Sequence, residues 1–221
     1  MKTLEFVDTI GSWKLGGTYE DESAANTQLR ILNAGNIARQ YVLRDFYMKF
    51  GSIPQICYQA FDIVPLWENE HCNSFTAKVP TIMTFPDPQV NGWDSIVPMC
   101  EGAMPLTEIR SQSQMRQARN HSLMSVMRSS GWFLNTGNML EVILKPNVKA
   151  TEFPARAVLS QPQLCPAFNI DEDEYPFPDD MIQDIKAMLE RSDSKRWFYQ
   201  NSQVSNSKSE IENASFASLF F

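Results

Sequence analysis

The stretch that most limits the folds open to this chain covers residues 131–191, where three local signals stand in a fixed order. The first is a hairpin, with Asn135-Thr136-Gly137-Asn138 as its turn and Met139, Val142 and Leu144 in the returning strand. Gly137 supplies the positive φ that the turn needs. A strand-like run over 153–159 comes next. The third signal is an acidic loop, Asp171-Glu172-Asp173-Glu174, followed by Tyr175-Pro176-Phe177-Pro178 and a helix over 179–191. Met181, Ile182, Ile185, Met188 and Leu189 share one face of that helix. Pro178 is a natural starter. Asp179 and Asp180 occupy the first turn, and Lys186 and Arg191 lie later, as the helix dipole favours. A hairpin, a further strand and a late amphipathic helix together predict an α+β fold.

Upstream, residues 1–21 read as loop, punctuated by Gly11, Gly16 and Gly17, with Leu4 and Phe6 alternating as in a short strand. Leu29, Leu32, Ile37, Tyr41 and Phe46 predict a helix over 23–49. Gly35-Asn36 interrupts that pattern and predicts a kink or two shorter helices, and Gly51 and Pro54 stop it. Over 53–100, short apolar runs broken by Pro54, Pro65, Pro80, Pro86 and Pro88 predict a small β region with long loops. Over 105–130 the composition is helical with a weak apolar face, Ile109, Met115, Ala118, Met124 and Met127. The expected order is an N-terminal helix or helical hairpin, the central β region, a second helix, the hairpin, the C-terminal amphipathic helix and a tail. Residues 1–192 are expected to form a single α+β body and residues 193–221 an extended C-terminal arm.

Net charge is −7 and the pI about 4.9, a poor balance for a dedicated duplex-DNA binder. Residues 109–130 reverse this locally: they hold no Asp or Glu but carry Arg110, Arg116, Arg119 and Arg128. One reading is a solvated basic face. The other is contact with an acidic partner, either residues 171–174 of an adjacent subunit or nucleic acid. Complementary basic and acidic patches on one chain are what a head-to-tail ring uses. The arm places Trp197, Phe198 and Tyr199 before a polar stretch over 200–209, and then Phe216, Leu219, Phe220 and Phe221. The pattern is anchor, spacer, anchor, with a reach of roughly 80 Å at about 3.3 Å per residue. It reads either as a segment that docks on a neighbouring subunit or as a frayed tail.

Residues that would carry chemistry are sparse. The two histidines are His71 and His121. His71 adjoins Cys72, but neighbours in a strand point to opposite faces. A thiol- or zinc-dependent hydrolase using Cys57, His71 and Cys72 is one alternative function. An Arg-mediated nucleic-acid-binding module is another. Cys57, Cys72, Cys100 and Cys165 match no short zinc spacing and read as reduced thiols. The acidic run lacks the ligand alternation of a calcium loop. Phosphate-loop and nucleophile-elbow motifs do not occur. The expectation is no catalytic or metal residue, no cofactor, no small-molecule substrate and no enzyme. No apolar run approaches the roughly 20 residues of a membrane span. The acids near Met1 do not suit a signal peptide, so the expected site of synthesis is a cytoplasm.

Residues 132–191 resemble a pattern in tailed-phage virion proteins. In it a YFxxGN hairpin precedes a strand ending in proline and then an acidic, Tyr-Pro-containing start to an amphipathic helix. The parts stand here as Trp132-Phe133-Leu134-Asn135-Thr136-Gly137-Asn138, Leu159-Ser160-Gln161-Pro162 and Glu174-Tyr175-Pro176-Phe177-Pro178-Asp179. The helix near 23–49 and Val79-Pro80-Thr81 are also similar to that group. The family so resembled is the head-to-tail connector (adaptor or neck ring) proteins of short-tailed, crAss-like bacteriophages. The resemblance implies a virion structural protein, assembled in a bacterial host's cytoplasm. It would form a dodecameric ring that binds the portal protein and other tail or neck rings around the DNA channel.

Overall fold

The computed structural model describes residues 1–15, 24–69, 73–85, 92–120 and 129–190. The protein is mixed α+β. Its elements in chain order are α1 (Thr3–Leu15), α2 (Ala24–Phe50), β1 (Gln59–Ile63), β2 (Pro65–Asn69), β3 (Ser74–Lys78), β4 (Trp93–Ile96), β5 (Thr107–Glu108), α3 (Gln112–Asn120), β6 (Gly131–Thr136), β7 (Met139–Leu144), β8 (Phe153–Ala157) and α4 (Ile182–Glu190). They fall into two compact units, one of residues 1–46 with 170–221 and the other of residues 47–169. This division is finer than the single body expected over 1–192; the arm over 193–221 lies outside the described residues.

The first unit is helical, and two expectations change there. Residues expected to form a loop or short strand make α1. The pattern is helical because Thr3, Phe6, Val7 and Ile10 are buried at three- and four-residue spacing. The Glu5 carboxylate accepts the Lys2 backbone N–H at 3.1 Å, which is half of a capping box. The division into two shorter helices expected at Gly35-Asn36 is absent, and α2 runs through it for 27 residues. A Cβ on Gly35 would lie 2.7 Å from Phe6 Cε1, so the glycine makes room for a ring. That ring stacks on Tyr175, with centroids 3.9 Å apart and planes 10° apart. The Tyr175 hydroxyl donates to Asn36 Oδ1 at 2.8 Å, and Arg39 Nε donates to the Pro176 carbonyl at 3.1 Å. Toward the end of the unit, a 3₁₀ turn at Asp179–Met181 leads into α4; Met181 of the turn and Ile182, Ile185 and Leu189 of the helix are buried as the sequence predicts, while Met188, expected on the same face, is half-buried.

Among its described residues, the second unit holds two sheets, ordered β1-β8-β4 and β2-β3-β7-β6-β5. All pairs are antiparallel except β5–β6, whose parallel pairing is reached through the connection that contains α3. Only Val64 separates β1 from β2, so the chain passes there from one sheet to the other, with a register shift between Pro65 and Trp67. One core takes side chains from both sheets, including Phe61, Ile96, Phe133, Val142 and Phe153. Ring contacts cross it: Phe75 of β3 meets Phe153 of β8 at 4.5 Å, and Trp93 of β4 meets Phe133 of β6 at 5.4 Å. Strand alternation sends Trp132, Leu134 and Ile143 to the opposite face, where Met115 and Ala118 of α3 cover them. The hairpin turn is tighter than predicted: Thr136 pairs with Met139 across Gly137 (φ 68°) and Asn138. Leu140 points inward and Met139 is exposed.

Candidate interaction surfaces

The acidic loop is fixed by its backbone and exposed at its side chains. The Thr3 N–H and hydroxyl both donate to the Asp173 carbonyl at 3.1 Å, and the Tyr175 N–H donates to the Met1 carbonyl at 2.9 Å. Lys2 and Glu174 form an antiparallel bridge. Tyr175 and Phe177, both 2% exposed, root the chain just beyond the loop. Asp171, Glu172 and Glu174 are exposed and Asp173 is half-buried, so the loop presents carboxylates on a held frame.

Arg110 and Arg116 lie on the exposed side of the α3 region, opposite Met115 and Ala118. Ser111 Oγ accepts the Gln114 N–H at 3.3 Å, and Gln114 Oε1 accepts the Arg110 N–H at 3.1 Å, a reciprocal cap at the start of α3. Half-burial pushes the Glu108 carboxyl above the usual 4.5, and Arg110 opposes the shift. The Arg119 side chain, Arg128 and His121 lie outside the described residues. So do Trp197, Phe198, Tyr199, Phe216, Leu219, Phe220 and Phe221 of the arm.

The partition of charge follows the two units. Residues 1–46 and 170–221 carry 17 acids against 10 bases, which is the whole net charge of −7, whereas residues 47–169 carry nine of each. Acidic and basic patches therefore belong to units of different overall charge, a feature that sequence order alone hides.

For the hydrolase alternative, Cys57 is fully buried, and His71 and Cys72 lie outside the described residues. The Cys165 thiol donates to the Ala60 carbonyl at 3.6 Å. Among the described residues no cluster of three or more His, Cys, Asp or Glu is placed to hold a metal ion. No helix among them is long and apolar enough to cross a membrane.

Three features escape a reading of the sequence. Arg156 bonds Asp94 at 3.3 Å and the Gln55 carbonyl at 3.2 Å, with its guanidinium 5.3 Å from the Tyr58 ring centre. Burial first, then Asp94 and Cys57, raise the Tyr58 hydroxyl above its ordinary 10.0, and Arg156 opposes them. A cleft of about 370 Å³ is lined by Cys100, Glu101, Met104, Ser130, Lys145 and Asn147. Val64, Leu66 and Trp67, at and beside β2, are 60–69% exposed. Each feature joins segments far apart in the chain or depends on which strand lies at an edge, and local patterning carries neither signal.

Compared with known proteins, the chain matches no family model and no curated protein.

Proposed function

We propose that this chain is a structural subunit of a phage head-to-tail connector: a homo-oligomeric ring between portal and tail, around the DNA channel. The observation that carries the reading is the charge partition. An acidic unit presents carboxylates on a backbone-fixed loop, while a neutral unit exposes Arg110 just before α3 and Arg116 on it. Two different patches on one chain suit a heterologous contact, in which each copy offers its acidic patch to the next copy's basic one. The resemblance of residues 132–191 to connector proteins supplies the biological setting, and the arm over 193–221 supplies a second tether. The proposed localisation is the virion.

Electron microscopy and light scattering of the purified chain at low and high salt test this reading. Closed rings are expected, and they should dissociate as salt rises because exposed pairs are screened. Arg110→Glu with Arg116→Glu should prevent ring closure without unfolding. Mixing that variant with Glu172→Arg/Glu174→Arg should restore contact between the two chains. Solitary chains at every salt concentration, alone and with a portal protein, would remove the proposal. Salt-sensitive nucleic-acid binding by a lone monomer would favour the Arg-mediated binding module instead.

A further inference from the structure

Among the described residues, the four sheet edges of the second unit differ in what they expose. β5 is two residues long, β4 exposes Asp94, and β1 exposes Asp62. Such edges discourage pairing with another chain by shortness and charge. β2 differs. It is the outer strand of the five-stranded sheet, it follows the 69%-exposed Val64, and its Leu66 and Trp67 are 65% and 60% exposed. Pro65, the register shift between Pro65 and Trp67 and the exposed Glu68 guard this edge in part, and Leu66 and Trp67 remain as its exposed apolar positions.

Beside this edge opens a cavity of about 100 Å³ lined by Glu68, Phe75, Leu144, Ala150 and Phe153, together with Asn73 and Ser74. Its lining mixes the apolar Phe75, Leu144, Ala150 and Phe153 with the polar Glu68, Asn73 and Ser74. Glu68 lies across the ladder from Phe75, so a strand added outside β2 would aim every second side chain toward this cavity. An outer strand combined with a pocket for alternate side chains is the arrangement by which sheets capture extended peptides.

We infer that β2 is the acceptor for residues 214–221 of a second copy of this chain, which add as a strand and place one phenylalanine ring in the cavity. This inference rests on the assembly reading above and names its receptor. The segment reads Ala-Ser-Phe-Ala-Ser-Leu-Phe-Phe and carries no charged side chain. With strand alternation, Phe216, Ser218 and Phe220 face one side and Ala217, Leu219 and Phe221 the other. The first set suits the cavity side, and the second suits the side of Trp67. The described chain ends at Glu190, and the 23 residues from 191 to 213 span up to roughly 75 Å when extended, enough to reach a neighbour.

A complementation experiment with full-length chains tests the inference. The edge variant is Leu66→Lys/Trp67→Lys, at exposed positions, and the donor variant is Phe216→Ser/Phe220→Ser. Sedimentation should show each variant associating with itself at least tenfold more weakly than the unaltered chain. An equimolar mixture should form a one-to-one pair, because one chain keeps an intact edge and the other an intact donor. Amide exchange at 66–68 should slow in the donor variant when the edge variant is added. Unimpaired self-association of the edge variant would overturn the inference, as would a mixture no more associated than its parts. So would an unaltered chain that stays monomeric. Pairs or open chains that complement but never close into rings would sink the ring reading and leave the edge contact standing. Rings that ignore both variants would do the reverse.

Discussion

In the unit of residues 1–46 and 170–190, the largest fully buried side chain is an arginine, whereas the unit of 47–169 fills its core with rings and branched aliphatics. Arg39 and Asn36 on α2 bond Pro176 and Tyr175, residues 137 and 139 positions away. Each of these buried polar groups has a specific mate, so the register between helix and loop is set by direction as well as volume. The β unit sets register by its ladder, and its interior is mostly apolar, with Gln59, Ser74, Ser129 and Ser130 as its buried polar residues. The first kind of core should therefore fail when one bond is removed. The second should fail when volume is removed.

The largest expected effect belongs to the apolar core. Phe133→Ala empties a ring site between the two sheets, and a loss of about 4 kcal/mol is expected in urea unfolding. Amide exchange should accelerate across β1–β8. A loss below about 1 kcal/mol would mean that the sheets collapse around the gap and that ring packing does not hold them.

Arg39→Ala tests the polar core and should cost about 3 kcal/mol, chiefly because the Pro176 carbonyl loses its buried donor. Tyr175→Phe, which removes one neutral hydrogen bond to Asn36, should cost about 1–2 kcal/mol. Exchange should quicken in 1–46 and 170–190 for both. The sharper control is Arg39→Met, which keeps the length and drops the donors. If it matches the unaltered chain, the guanidinium contributes packing alone and the contrast between the two cores disappears.

How much of this is legible in the sequence follows the same division. The β6–β7 hairpin and α4 are readable because alternation, Gly137 and the Met181/Ile182/Ile185/Leu189 stripe are local signals that tertiary contacts reinforce. The sequence misleads over α1 because Leu4 and Phe6 alternate with polar neighbours. What decides its conformation is burial of Phe6, Val7 and Ile10, together with bonds to residues 173 and 175 far along the chain. Gly35 has the look of a helix breaker, yet its role is fixed by Phe6, 29 positions away. Of the proposed contact surfaces, the exposure of Arg110, Arg116, Asp171, Glu172 and Glu174 agrees with a polar reading. The apolar β2 edge is invisible because Leu66 and Trp67 look like core residues until the strand order puts them outside.

Gly35→Ala probes that misleading signal at an intermediate scale. Alanine gains about 1 kcal/mol in helix propensity, but overpacking a filled core costs about 1–3 kcal/mol. Phe6 is fully buried and stacked on Tyr175, so its ring has little room to yield, and a net loss of about 1 kcal/mol is expected. Phe6→Leu destabilises by itself, but the double variant should lose less than the two single losses added, since the clash is gone. Simple additivity in denaturant titrations would show that the glycine and the ring do not constrain each other.

The smallest effect isolates one half-buried carboxylate in the β unit. Glu108 on β5 is half-buried, and its carboxyl is pushed up by desolvation against the pull of Arg110. Because its proton is held more tightly in the folded state than in the unfolded one, the native chain binds more protons in the window above the unfolded pKa. Stability contributed by this group is therefore present at low pH and lost as pH rises from about 4.5 through the raised folded value. This sign is opposite to that of a carboxylate stabilised by a cation. Glu108→Gln should match the unaltered chain at low pH and become relatively more stable as pH rises, reaching a plateau once Glu108 is ionised in both states. Arg110→Ala should enlarge that divergence, because the opposing cation is gone. Unfolding free energies at a series of pH values measure both curves. A gap between the unaltered chain and the Glu108→Gln variant that stays flat with pH would show that the strand imposes no desolvation cost on this carboxylate. A gap of the opposite sign, with the unaltered chain gaining stability as pH rises, would show that the neighbouring guanidinium dominates it.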